Sequence, residues 1–341
     1  MKIAVGISGG VDSAVAAMIL KEQGHEVVGV TMTLGRVDEA KSLAEARLAA
    51  ERLGIELHVF DLAQEWKREV VDYIRSEYLG GRTPNPCVRC NETVKFGLLP
   101  RLAFERLGCD RFATGHYARI KLKCEVEVEG RGVSESHIEC GKNPLFNFNS
   151  ELQLVRAIDK SKDQSYFLYR VDPAILAKTV FPLGGMTKAE VREYARSHGL
   201  EIADKGDSQD FCGGDVKRFI DREPCEGDIV TIDGKVLGKH QGFWNYTVGM
   251  RKGLGIGGGT PYYVVRIDAD RNAVIVGFKE ASVAHELRLR DTVGTIDMSL
   301  PVKVRSAGEP RLLSDGISGV APGQSAVFYD GDLIIGGGII V

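Results

Sequence analysis

The sequence predicts an α/β protein in which a parallel-sheet, Rossmann-like domain is followed by two small β-rich domains. Three observations carry that expectation. The first third alternates short β-branched runs with longer helical periods, which implies right-handed βαβ crossovers and a buried parallel sheet. After Phe219 the helical periods vanish while glycine and β-branched residues rise, as in DIVTIDGKVLG, YYVVRIDADRNAVIVGF and SAVFYDGDLIIGGGIIV. Finally, 341 residues exceed the size at which one core usually stops growing. The composition shift after Phe219 ends the first domain at 1–219, and the β-rich remainder is expected to divide into 220–283 and 284–341.

Composition narrows the class. With 43% hydrophobic and 27% charged residues the chain matches ordinary globular proteins rather than disordered or collagenous ones. No apolar run reaches the roughly 18 to 20 residues that span a bilayer, and the glycine-interrupted N-terminus is unlike a signal peptide. A cytoplasmic protein with no membrane partner is expected. A net charge of −3 advertises no overall field for nucleic acid, so any RNA surface must be a local patch. The window 155–200 is one candidate, with eight Lys or Arg against five Asp or Glu; a solvated helix face explains the same count. Seven cysteines in a chain of this length do not form a secreted disulfide framework.

In order, residues 2–7, 26–33, 55–60 and 110–115 read as strands, and 12–23, 38–53, 63–78 and 92–107 as helices. Ligands of such sheets sit at the carboxyl ends of the strands, here the turns after Ile7, after Thr31 and around Thr114 to His116. Residues 80–91 (GGRTPNPCVRCN) read as a surface loop, punctuated by glycine and proline. Residues 121–153 read as a peripheral excursion. A helix is predicted over 187–199, with Thr187 and Glu190 forming a capping box.

The segment Gly6-Ile7-Ser8-Gly9-Gly10-Val11-Asp12-Ser13 leaves a strand and opens a helix. Glycines let the backbone approach an anion, the helix N-terminus supplies amide donors, and two serines add hydroxyls. The loop lacks the lysine of a Walker A motif and the third glycine of a dinucleotide fingerprint. SGGVDS resembles the PP-loop of the ATP pyrophosphatases, which implies ATP cleaved between its α- and β-phosphates with Mg2+ bridging the phosphate oxygens. A plain glycine turn is the bland alternative.

Further motifs stand in one order: Thr83 to Asn91 (TPNPCVRCN), Ala113 to Tyr117 (ATGHY), Lys162 to Leu168 (KDQSYFL), Asp207 to Cys212, His240-Gln241-Gly242, and the glycine-rich Gly249 to Gly258. Together with the PP-loop they resemble the tRNA-uridine 2-sulfurtransferases. The resemblance implies an adenine nucleotide alpha hydrolase-like fold and ATP-dependent 2-thiolation of the wobble uridine, position 34. It further implies that Gly6 to Ser13 hold the ATP phosphates while Met32 and Gly115 border adenine and ribose. Asn85, Pro86 and Cys87 would lie against the target base. Cys90 would be the nucleophile and Cys212 the persulfide carrier, both partly exposed and electropositive. His116, Lys162, Asp163, Gln164, Arg305 and Gln324 would meet tRNA, with a satisfied structural histidine as the alternative for His116. The implied partners are lysine, glutamate and glutamine tRNAs and a cysteine desulfurase or sulfur-relay protein.

One position departs from the family pattern, which commonly has Asp where this chain has Cys87. The resulting CxxC with Cys212 supplies three thiolates, the number that holds a [4Fe-4S] cluster with one iron open; a metal-free persulfide route and a zinc site are the alternatives. A cluster enzyme could accept inorganic sulfide in place of the relay. Cys109 reads as a buried small hydrophobe, Cys124, Cys140 and Cys225 carry no assigned role, and a Cys124–Cys140 disulfide is disfavoured in a reducing compartment. The rival functions are another PP-loop adenylating ligase, such as an argininosuccinate synthase, and a metal-containing RNA-binding module with a vestigial PP-loop.

Overall fold

The structure, a computed structural model, describes residues 1–36, 39–122, 152–200, 216–257 and 259–341. Its first sheet comprises β1 (Lys2–Gly6), β2 (Glu26–Thr33), β3 (Leu57–Asp61), β4 (Arg111–Ala113) and, later in the chain, β7 (Thr179–Val180). The strands are all parallel in the order β3-β2-β1-β4-β7. After building β2 and β3 on one side of β1, the chain returns to lay β4 on the other. The carboxyl ends of β1 and β4 therefore form the topological switch point, where open α/β sheets bind ligands.

Helices cover the sheet. α1 (Val11–Glu22) is buried along Ala14, Val15, Ala16 and Ala17, whose small side chains let it lie close to the strands. α2 (Glu39–Leu53) buries Ala46, Ala49, Ala50 and Leu53. A helical run from α3 (Ala63–Trp66) through a π-helical stretch at Lys67–Val71 to α4 (Asp72–Leu79) follows β3.

A second run departs from the expectation. Instead of a surface loop ending near Asn91, α5 (Pro86–Cys90) is already helical, and it continues through a π-helical stretch at Asn91–Leu98 into α6 (Leu99–Leu107). Pro86 occupies the first turn, where a missing N–H costs nothing. Asn85 is the N-cap, its Oδ1 accepting from the Val88 N–H at 3.3 Å. The residues that looked like loop punctuation are those that start the helix.

Residues 121–153 also differ from expectation at their base. β5 (Ala118–Leu122) and β6 (Leu152–Arg156) pair antiparallel, and β6 joins the C-terminal sheet through Val155 opposite Leu333. The excursion thus begins and ends inside an inter-domain sheet, while Cys124 and Cys140 lie outside the described residues. α7 (Pro173–Leu176) precedes β7, and α8 (Lys188–Ser197) starts at the predicted capping box of Thr187 and Glu190.

The remaining chain is β-rich, as predicted. β8 (Gly227–Thr231), β9 (Val236–His240), β10 (Tyr263–Asp268) and β11 (Ala273–Gly277) make a four-stranded sheet in the order β10-β11-β8-β9. β12 (Val283–Ala284) pairs with β15 (Ile317–Ser318). β13 (Leu289–Gly294), β14 (Val302–Lys303), β16 (Ser325–Asp330) and β17 (Leu333–Ile340) build the last sheet, in the order β14-β16-β17-β6-β5 with β13 also on β17. Among the described residues no helix is long and apolar enough to cross a membrane.

Candidate active site

The phosphate loop forms as its residues require. Gly9 has φ +78°, and a Cβ there would lie 2.6 Å from Glu45 Cβ and 2.8 Å from the Glu45 carbonyl carbon, so only glycine fits against α2. Gly10 is the N-cap of α1 and brings no side-chain oxygen to the first-turn amides, which leaves them to an anion. Ser13 Oγ accepts from the Ser8 N–H at 3.2 Å and donates to the Gly10 carbonyl at 3.1 Å, closing the loop on itself. Gly6 ends the strand, and Ile7 after it and Val11 at the helix start are both buried in the core.

Gly115, at the end of β4, faces this loop across the switch point. A Cβ on it would sit 2.6 Å from the Asp12 carbonyl carbon and 2.7 Å from the Ser13 nitrogen. The turn after β4 and the start of α1 therefore approach backbone to backbone. Met32, half-buried on β2, packs against the core at the same sheet edge.

The sequence reading missed the groups around Asp12. Lys188 Nζ contacts both carboxylate oxygens of Asp12, at 2.7 and 2.8 Å, and the Tyr117 hydroxyl donates to Oδ1 at 2.9 Å. Lys188 is 7% exposed. A loop without a Walker lysine thus has a buried ammonium beside it, delivered by the first residue of α8. The only signal in the sequence was the capping box, which fixed where α8 starts but not what it faces.

The cysteine helix lies on the other side of His116. Cys90 is 3% exposed, and burial pushes its thiol up to about 11, against the pull of Lys95, Arg36 and the Lys95 amide. This corrects the expectation of a partly exposed cysteine: Cys90 faces inward because it ends the buried face of α5 with Val88. Cys87 and Pro86, by contrast, are half-buried. His116 packs against Phe96 and Phe181, with ring centroids 5.4 and 6.3 Å away, and its Nδ1 lies 2.7 Å from Thr114 Oγ1. Burial, reinforced by Lys95, holds its pKa well below 6.5, so it is neutral. Phe96, on the helical run that continues from Cys90, packs on His116, and that contact joins the cysteine helix to the turn that touches the phosphate loop.

Several expected RNA contacts are engaged inside the protein. Asp163 is buried, accepting from Arg156 at 3.3 Å, from the Ala157 and Ser165 amides and from the Ser165 hydroxyl. Arg156 continues to Glu309 of the C-terminal domain at 2.8 Å. The carboxylate thus joins β6 to the segment after it and, through Arg156, to the C-terminal domain. Gln164 Oε1 accepts from the Tyr117 amide at 3.0 Å. Asn85, expected against the target base, is 8% exposed and spends its side chain on the cap. Gln324 Nε2 donates to the carbonyls of Thr83 and Pro84 at 3.1 and 2.7 Å. Arg305 is exposed along its length while its guanidinium donates to Gly319 and Val248 carbonyls. Lys162 remains half-exposed. The local positive charge of 155–200 is likewise largely paired, by Asp163, Asp332, Glu92, Asp12 and Glu193.

Cys212 lies outside the described residues, and among those described no three His, Cys, Asp or Glu side chains gather in a way that could hold a metal ion. Of the donors for a cluster, the structure describes the two on α5. Cys109 is buried, with its thiol raised by burial, and Cys225 is exposed.

Comparison with known proteins is decisive. Residues 1–213 match the family model described as tRNA methyl transferase HUP domain, 216–278 the tRNA methyl transferase PRC-barrel domain, and 282–340 the aminomethyltransferase beta-barrel domain. The tRNA-specific 2-thiouridylase MnmA of Nostoc sp. is 42% identical, over 99% of this chain and 98% of its own. That of Syntrophotalea carbinolica is 43% identical over 99% of this chain and 98% of its own. The chain belongs to the tRNA-specific 2-thiouridylase family. A crystal structure of a 4-thiouridine synthetase–RNA complex with bound ATP aligns over 62% of this chain and 44% of its own, at 18% identity and a TM-score of 0.38.

Proposed function

We propose that the protein catalyses ATP-dependent 2-thiolation of uridine 34 in tRNA, in the cytoplasm, with Cys90 and Cys212 moving the sulfur. The observation that carries this reading is the sheet edge that joins an anion-ready helix start to the helical run bearing two cysteines, through Gly115, His116 and Phe96. Family membership supports the substrate and the reaction.

Uracil O2 is a poor leaving group, so it first attacks the α-phosphorus of ATP and pyrophosphate departs. Gly6 to Ser13 would hold the phosphates and Lys188 would add charge at Asp12; Mg2+ arriving with the nucleotide would supply charge neutralisation. Cys90 thiolate then attacks the inner sulfur of a Cys212 persulfide, forming a Cys90–Cys212 disulfide and releasing hydrosulfide. Hydrosulfide adds to C2, AMP leaves with the original oxygen, and loss of a proton gives 2-thiouridine. A dithiol reductant returns the disulfide to two thiols. The sulfur would come from a cysteine desulfurase or relay protein, and lysine, glutamate and glutamine tRNAs are the proposed substrates. In this reading 1–219 is catalytic, 220–283 an adaptor and 284–341 the tRNA-contacting domain, with Lys162 and the exposed edge of Arg305 meeting RNA.

A second reading is favoured by two features, the third thiol at Cys87 and the burial of Cys90. A thiol near 11 is nearly all protonated at neutral pH, whereas metal binding displaces the proton outright. Cys87, Cys90 and Cys212 would then hold a [4Fe-4S] cluster, which would supply sulfur delivery from inorganic sulfide in place of the persulfide. The deciding experiment is anaerobic purification with iron and acid-labile sulfide analysis, then thiolation of unmodified tRNA by loaded and iron-free protein. The persulfide route predicts that iron-free protein works with a desulfurase and that Cys90→Ser and Cys212→Ser are each inactive. Thiolation by the loaded form alone overturns it in favour of the cluster.

A further inference from the structure

We infer that Tyr166 is a positioning residue for the cysteine helix, through which the C-terminal β domain sets the reacting thiols. The inference deepens the reading above and rests on Cys90 being a reacting group. Tyr166 is fully buried, and a buried hydroxyl is costly unless paired. Its O–H donates to the Ser325 carbonyl at the start of β16, at 2.9 Å, and its oxygen accepts from Asn85 Nδ2 at 3.5 Å. Asn85 in turn uses Oδ1 to cap α5, the helix of Cys87 and Cys90. One hydroxyl therefore links a strand of the last domain to the cap of the cysteine helix.

A second set of contacts runs parallel to the first. The Thr83 amide donates to the Pro322 carbonyl at 2.7 Å, and Gln324 Nε2 holds the carbonyls of Thr83 and Pro84. The approach at Gly323 is so close that a Cβ there would lie 2.8 Å from the Thr83 oxygen. Below the cap, Val88 of α5 packs in one cluster with Tyr166, Tyr169, Val327 and Tyr329, joining α5 directly to β16. The Tyr169 hydroxyl donates to Ser325 Oγ at 3.1 Å, fixing the same residue from a second side.

The arrangement is more than ballast. Phenylalanine would fill the core at residue 166 equally well, so the hydroxyl is what the network uses. α5 spans only Pro86 to Cys90 before the helix widens into its π-helical stretch, so a loosened cap reaches the cysteines within one turn. A C-terminal domain shifted by bound RNA would move Ser325 and Gln324 together, and with them the start of α5.

The test uses full-length Tyr166→Phe, with Gln324→Ala as a second variant, ATP, unmodified tRNA and a sulfur donor. Three quantities are read: the pyrophosphate burst, kcat and KM for 2-thiouridine formation, and the iodoacetamide alkylation rates of Cys87 and Cys90. The expected result for Tyr166→Phe is an unchanged burst and tRNA KM, a kcat lower by about tenfold, and Cys90 alkylated about tenfold faster. Gln324→Ala should shift kcat and alkylation in the same directions by a smaller factor. Wild-type kcat and wild-type alkylation in both variants, or a rise in tRNA KM with kcat intact, overturns the inference. Cys90→Ser, run alongside, separates the two levels: if it thiolates normally, the reading of Cys90 as a reacting group fails, whereas an inactive Cys90→Ser beside an unaffected Tyr166→Phe sinks the positioning role alone.

Discussion

The phosphate loop and the cysteine helix are built on opposite principles. The loop is local: Ser8, Gly10 and Ser13 close on one another within five residues, and the sheet needs only glycine at 9 and 115 to bring α2, β4 and α1 together. The cysteine helix is assembled from a distance. Its cap partner Tyr166 lies 81 residues away and its carbonyl clamp Gln324 241 residues from Thr83. A nucleotide site common to many reactions can be rigid and self-contained, whereas the cysteine helix is held by a separate domain whose position can change the helix start.

The largest effect expected from breaking this contrast is at the local site. Gly9→Ala places a methyl group inside contact distance of Glu45 and strains a left-handed φ, so pyrophosphate release should fall at least 100-fold while cysteine alkylation stays at the wild-type rate. Next comes Lys188→Met, which removes the ammonium from Asp12 and keeps its hydrogen bond from Tyr117. Unpairing this part-buried carboxylate costs about 2 kcal/mol once solvent screening is allowed for, and thermal melting should fall accordingly, together with kcat/KM for ATP.

On the other side of the comparison, Val88→Ala opens a gap between α5 and β16 and should cost about 2 kcal/mol by denaturant titration. Its signature is faster alkylation of Cys90 with an intact pyrophosphate burst. The smallest effect concerns pH. Because His116 has its folded pKa held below 6.5, the unfolded chain binds the extra proton first. The stability of the neutral form is present above about pH 6.5 and drains away as pH falls towards the folded pKa. Replacing His116 by Gln should flatten that part of the stability profile between pH 6.5 and 5, measured by chemical denaturation.

The same contrast explains what could be read from the sequence. Strand–loop–helix order, glycine spacing and the capping box of Thr187 and Glu190 are local signals, and the sheet, its switch point and the phosphate loop follow from them. The start of α5 was misread because proline and asparagine serve both as loop punctuation and as helix starters, and only the long-range partner of Asn85 separates the two. The contacts of Lys188 and Tyr117 with Asp12 could not be read for a related reason, since they reach it from 176 and 105 residues away. Asp163 matched a family motif in sequence, yet its environment, set by Arg156 and Glu309, is a property of the assembled domains.

The most direct test of the central claim is product stoichiometry with unmodified tRNA, ATP and a sulfur donor. The account predicts one AMP and one pyrophosphate for each 2-thiouridine at position 34, with thiolation absent in Cys90→Ser although that variant still releases pyrophosphate. Thiolation without AMP, or AMP release with no sulfur in the RNA of the wild-type protein, would contradict it.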